Sequence, residues 1–245
     1  MNDSASFAVE RIRKGWAEYF NCSPSDLDSP GTRIIPSRDF ADSRMAIIWH
    51  IGKMAFVQID PDFSESFSEF IEEIQDSMSI SAADVCSSFC NWQITLDHTD
   101  YIYYLSPNEF VPFTPEREYI VRQLSMKDKN LLDTLHSACP FDEVDNAYVH
   151  IDHELAFGAF FEQTLVAAAS VYDWRGITGD VGVLTHPGFR RKGLGKSVVS
   201  AICEREIAND RIVQYRAHVE LISSWKIPEA LGFKRYFKEE TLLFS

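Results

Sequence analysis

The chain has 245 residues, 45% of them hydrophobic, and a formal net charge of −14 at pH 7. That apolar content, with 18 phenylalanines, is ample for a packed core in one large domain or two smaller ones. The negative charge argues against a nucleic-acid partner, since phosphate neutralisation dominates that affinity, and the longest apolar runs are too short to span a membrane. Five cysteines (Cys22, Cys86, Cys90, Cys139 and Cys203) form no C-x-x-C pair, so neither a disulfide framework nor a zinc ribbon is expected. Cys86 and Cys90, four apart, are expected to share a core-facing side of a helix. Reduced thiols and a polar start, Met1-Asn2-Asp3-Ser4, point to a cytoplasmic protein.

In chain order, residues 5–20 read as an amphipathic helix with Phe7, Ile12, Trp16 and Phe20 on one face. Turns follow at Asn21–Asp26 and Ser29–Gly31, then a short strand at Thr32–Ile35. Met45–His50 and Met54–Ile59 read as a hairpin. Phe67, Phe70, Ile71, Ile74 and Met78 recur at helical spacing, which predicts a helix through about 64–77; a second is expected over Ser81–Asn91, capped by Ser81. Ile94–Leu96 and Tyr101–Leu105 read as two strands. The first 114 residues hold 18 acids against 7 bases, an imbalance that suits either solubility or a cationic amine.

Two prolines in Val111-Pro112-Phe113-Thr114-Pro115-Glu116 resist regular structure and divide the chain into domains 1–114 and 115–245. A strand at Tyr119–Leu124 and a helix at Lys127–Ser137 open the second domain, and Asp142–His153 is polar and irregular or helical. His150 and His153 could share a helix face. The H-E-x-x-H order is absent, however, and no third ligand cluster lies nearby in sequence, so no metal is expected. Leu155–Phe161 and Leu165–Trp174 form a second hairpin, with a turn at Arg175-Gly176 before a strand at Ile177–Thr185. A helix over 196–209, a strand at Ile212–Val219, a short helix at Ser223–Leu231 ended by Gly232, and a last strand at Tyr236–Phe244 complete the chain.

The most informative stretch joins the strand ending at Thr185 to the helix after it. His186-Pro187-Gly188 stops the strand, and four of the seven residues Arg190–Lys196 are cationic against the overall charge. A cationic turn at a helix N-terminus favours an anion, and a phosphate-bearing ligand first of all. A P-loop would require glycine where Arg190 stands, and its side chain would fill the phosphate cradle. A dinucleotide fingerprint would need a doubly wound sheet that the remaining chain cannot supply.

Arg190-x-x-Gly193-x-Gly195, entered from Val181–Thr185 and His186-Pro187, resembles the Q/R-x-x-G-x-G/A signature of the GNAT superfamily of N-acetyltransferases. Ser224, Ile227, Gly232 and Phe233 resemble that family's later pattern. Leu221 stands where asparagine is usual there, and Pro228 where a tyrosine often serves as the acid. The resemblance covers about residues 117–245. It implies an α+β fold: a mixed, mostly antiparallel twisted sheet flanked by helices, here preceded by a smaller α+β domain of unassigned role.

It also implies acetyl-coenzyme A as co-substrate, with Val183, Leu184, Thr185, Arg190, Arg191, Lys192, Gly193, Leu194, Gly195 and Lys196 as its binding residues. The acceptor is then a primary amine of a small molecule or peptide, and a homodimer is compatible with it. Amines have a pKa near 10, so a base or a water chain must take the proton. Asp180 is the candidate base, Glu220 the second, and His186 reads as a loop residue. The competing reading is a catalytically silent acyl-coenzyme A sensor, which Leu221 and Pro228 favour.

Overall fold

The structure is a computed structural model that describes residues 3–73, 79–88, 93–174 and 178–245. Its elements, in order, are α1 (Asp3–Tyr19), β1 (Gly31–Pro36), β2 (Met45–Ile51), β3 (Met54–Ile59), α2 (Ser64–Glu73), α3 (Ala82–Ser88) and β4 (Ile94–Leu105). There follow β5 (Tyr119–Gln123), α4 (Lys129–Ser137), α5 (Phe141–Ala147), β6 (Leu155–Phe161), β7 (Thr164–Trp174), β8 (Thr178–Thr185) and α6 (Leu194–Ala208). The chain ends with β9 (Val213–His218), α7 (Ile222–Ala230) and β10 (Lys234–Phe244). The fold is α+β with mostly antiparallel strand pairing, and no helix among the described residues is long and apolar enough to cross a membrane.

Two compact units divide these elements. One comprises Met1–Ala8, Tyr103–Arg216 and Ile222–Lys234; the other comprises Val9–Ile102, Ala217–Leu221 and Arg235–Ser245. The units do not follow chain order. The proline stretch around Val111 lies inside the first unit, and the last strand belongs with the N-terminal residues.

In the second unit the strand order is β1-β3-β2-β10-β4, with β1 parallel to β3 and the β3–β2 and β2–β10 pairs antiparallel. Side chains alternate across a strand, so β2 and β3 serve two cores at once. Ala46, Ile48, Val57 and Ile59 pack with Phe67, Val85 and Leu242 on one face. Toward α1, Trp16 meets Trp49 at 5.2 Å and Phe237 at 5.0 Å between ring centroids, and Phe20 stacks on Phe56 at 4.2 Å. The helical spacing of Ile12, Trp16 and Phe20 thus buries all three; the Phe7 side chain lies outside the described residues. One polar group sits in this aromatic core, and it is satisfied: Trp49 Nε1 donates to Gln58 Oε1 at 2.9 Å, and Gln58 Nε2 donates to the Tyr19 hydroxyl at 2.8 Å.

Two expectations change here, and a third is only partly covered by the described residues. Ile94–Leu96 and Tyr101–Leu105 are one continuous strand, β4, because the polar run between them stays in extended pairing. Cys86 is exposed rather than in the core, and its partner Cys90 lies outside the described residues. The described helices end at Glu73 and Ser88, and the rest of the expected spans, 74–77 and 89–91, lies outside the described residues.

In the first unit the strand order is β9-β8-β7-β6-β5, antiparallel except for the parallel β8–β9 pair. One face packs on α4 and α5 through Leu124, Leu132, Leu135, Phe160, Ala168 and Leu184. The other face packs on α6, whose Val198, Val199, Ile202 and Cys203 are buried. Ser125 and Asp128 form a capping box at the entry to α4, and Arg122 holds Asp128 through two hydrogen bonds of 2.7 and 3.0 Å. The expected turn at Arg175-Gly176 lies outside the described residues.

Candidate active site

The site is built where β8 gives way to α6. Against β7, β8 is paired along its whole length, from Trp174↔Thr178 to Ala167↔Thr185. Against β9 the described ladder has three pairs and ends at Val181↔Tyr215. The two parallel strands therefore part after Val181, and Val183, Leu184 and Thr185 are paired with β7 on one edge but have no β9 partner on the other.

At the end of that opening stands the N-terminus of α6. Its N-cap is Gly193, in the left-handed region at φ +77°, and no side chain caps it. Ser197 N is the amide that bonds back to the Gly193 carbonyl, so the N–H groups of Leu194, Gly195 and Lys196 are the first-turn donors that a helix leaves without intrahelical partners. Around them the cations are differently employed. Arg190 is braced by Glu143 and by the Thr185 carbonyl, to which its Nε donates at 3.3 Å. Lys192 Nζ donates to the Tyr119 hydroxyl at 3.0 Å, which raises its pKa. Lys196 Nζ lies 3.6 Å from the Phe113 ring centroid, a cation–π contact. Arg191, at φ +64°, is exposed at the tip.

The two loop glycines are explained by packing as well as by anion approach. A Cβ at Gly193 would fall 2.9 Å from Phe113 Cζ, and one at Gly195 would fall 3.1 Å from Thr185 Oγ1. Phe113 is itself anchored, its N–H donating to Ser200 Oγ at 2.9 Å. The residues present fit a diphosphate: open N–H donors at a helix start, lysines and arginines in the loop that leads into it, and glycines whose far side is already filled by protein.

On the opposite face of β8, Asp180 and Gly182 point toward α5 and the segment after it. A Cβ at Gly182 would fall 1.9 Å from the Ala147 carbonyl oxygen, so only glycine admits this approach. Across the ladder, Asp180 faces Tyr172, and Gly182 faces Ser170. The Asp180 carboxylate is 14% exposed and lies 4.0 Å from Arg216 Nε.

Over Ser170 and Tyr172 sit Tyr148, His150 and His153. Tyr148 has ring centroids 4.8 Å from His150, 5.1 Å from His153 and 5.7 Å from Tyr172. His153 Nδ1 and Ser170 Oγ are 2.9 Å apart. Burial first, and then the neighbouring His150, lower the His153 pKa, so its ring is neutral at pH 7. The sequence showed this pair only as a weak metal motif. Its place beside β7 depends on the left-handed turn at Tyr148 (φ +45°), which leaves no periodicity to read. Glu220 and His186, the other polar candidates, bond locally: Glu220 N donates to His218 Nδ1, and Gly188 N donates to His186 Nδ1.

Tyr215, at the last β8–β9 pair, was also not singled out by motif. Burial first, with the Asp180 charge, pushes its hydroxyl pKa up against the effect of a hydrogen bond with Ser224, so it stays protonated.

This arrangement matches a known family. The model of the GNAT acetyltransferase family matches residues 141–241. Among solved structures, the GNAT-fold chain is similar to a GNAT-family acetyltransferase from Colwellia psychrerythraea (14% identity, TM-score 0.53, covering 77% of this chain and 76% of that one). It is also similar to a GCN5-related N-acetyltransferase from Sphaerobacter thermophilus (12% identity, TM-score 0.53, covering 77% and 71%). A tandem GNAT protein from the clavulanic acid biosynthesis pathway shares 14% identity at a TM-score of 0.50, covering 68% of this chain and 59% of that one. Identities this low carry the fold and not the substrate. A comparison with curated proteins gave no match.

Proposed function

We propose that this GNAT-fold protein moves an acetyl group from acetyl-coenzyme A to a primary amine of a small molecule or peptide. The observation that carries the reading is the parting of β8 from β9 after Val181, directly before the uncapped start of α6. Amides of Leu194, Gly195 and Lys196, with Arg191, Lys192 and Gly193, would hold the diphosphate; Arg190 braces the loop through Glu143. The backbone of Val183, Leu184 and Thr185 would line the arm that follows it. When bound, acetyl-coenzyme A supplies a thioester whose carbonyl is open to attack.

The chain's own residues then divide the proton work. Asp180, on the face opposite α6, takes the amine proton, with neutral His153 beside Tyr172 as the alternative base. The rings of Tyr148 and Tyr172 give the acceptor an apolar wall next to a carboxylate, which suits a cationic amine. Tyr215, held protonated beside Ser224, takes the place of the acid that Pro228 cannot provide.

Release of free thiol from acetyl-coenzyme A across an amine panel tests the reading. Amine-dependent release is expected; coenzyme A binding without release for any amine would replace it by the sensor reading, which the proline inside α7 favours.

A further inference from the structure

We propose that the second unit carries a divalent-cation site, formed by His98, Asp100 and Glu239 and separate from the glycine loop. His98 and Asp100 are two apart on β4 and share a face; Glu239 lies on β10, the neighbouring strand. One ligand atom from each of the three lies within 4.8 Å of the others, and His98 Nε2 is 3.9 Å from Asp100 Oδ2. This is the polar run in the middle of β4 that sequence patterning reads as a break between two strands. In extended pairing it has a purpose that hydrophobic alternation cannot express.

Burial makes the grouping informative. Asp100 is 7% exposed and Glu239 1%. Two carboxylates on adjacent strands, both out of water, repel each other and have lost their hydration. A dication can bridge two such carboxylates, and the orientation of His98 suits a third ligand to it. His98 Nδ1 meets the Asp97 carboxylate at 2.8 Å, a contact that orients the ring and turns Nε2 toward Asp100, 3.9 Å away. Thr241 Oγ1, 3.3 Å from Nε2, adds a neutral oxygen at the edge.

One imidazole nitrogen and two carboxylates suit Zn²⁺ or Mn²⁺ better than Ca²⁺, which takes oxygen ligands alone. Metal bonds of about 2.1 Å require ligand atoms closer than the present spacing, so small carboxylate rotations close the site around the ion. Its role is structural: it joins β4 to β10, and so ties the C-terminal strand into the second unit.

The test titrates chelator-stripped full-length protein with Zn²⁺ alone and with Mn²⁺ alone by calorimetry, and follows the Mn²⁺ signal by electron paramagnetic resonance. One site per chain is expected, with a rise in Tm on loading. His98→Asn and Glu239→Gln should remove both, while His150→Ala/His153→Ala should keep them. Asp97→Asn, an exposed change that spares folding, should weaken binding about ten-fold through the lost orienting bond. No heat with either ion, or binding that survives His98→Asn and Glu239→Gln, overturns the proposal. If those two variants fail to fold, unchanged affinity in Asp97→Asn overturns it instead.

Discussion

At the scale of single residues, the site divides its work between two faces of one strand. Asp180 and Gly182 look toward Tyr172 and Ser170, while Val183 and Thr185 look toward Gly195 of α6. Asp180→Asn should lower kcat/KM roughly 10²–10⁴-fold while coenzyme A affinity stays unchanged, as steady-state kinetics and calorimetry would show together. His153 has its pKa lowered by burial, so its neutral form persists below the ordinary imidazole value. If it contributes as base, activity falls with decreasing pH only below that value, and His153→Gln removes this acid limb from the pH profile. Tyr215→Phe should cost on the order of ten-fold in kcat, because a thiol of pKa about 8.5 leaves readily with help from water. An alanine at Gly193 is a poor probe of the cofactor, since φ +77° and Phe113 at 2.9 Å distort the loop whatever it binds. Arg191, exposed at the loop tip, is the better position: Arg191→Ala should weaken coenzyme A with little change in Tm.

At the scale of elements, two buried carboxylates anchor different strands. Arg122, backed by the Ser125 amide and hydroxyl, outweighs burial and draws Asp128 down to about 2. Glu240 is pushed up by burial. His50, Lys238 and the Ala82 amide outweigh that effect and also bring it to about 2. Both folded pKa values lie below those of the unfolded chain. Their stabilisation is therefore full above about pH 4.5 and lost as pH falls toward about 2, a window that acid unfolding by circular dichroism should show. Asp128→Ala removes the capping box as well and should cost about 1–2 kcal/mol in urea unfolding. Elements with clear periodicity were legible in the sequence: the hairpin of β6 and β7, the α6 helix and the aromatic face of α1. The strand β4 was not, because His98, Thr99 and Asp100 interrupt the apolar pattern without interrupting the strand. The glycine loop was legible because its chemistry is local. The Tyr148–His153 cluster was not, because it depends on β7 meeting a loop about 20 residues away in sequence.

At the scale of the whole molecule, the two compact units are interleaved along the chain. The prolines near Val111 suggested a division at 114, but β10 pairs with β2 from Leu243↔Met45 to Lys238↔His50. Patterning shows that β10 is a strand and cannot show its partner, which lies about 190 residues away. A fragment of residues 115–245 would leave the β10 edge and its buried Phe237, Leu242 and Phe244 without β2, so it should be insoluble or fail to melt cooperatively, whereas the full chain melts cooperatively. The full chain is accordingly the material for the decisive measurement, a calorimetric titration with coenzyme A and, in parallel, with ATP. Saturable binding of coenzyme A, weakened in Arg191→Ala and absent for ATP, is the predicted result. A chain that ignores coenzyme A, or that binds ATP in its stead, would contradict the assignment of the parted strands and the α6 N-terminus to an acyl-coenzyme A.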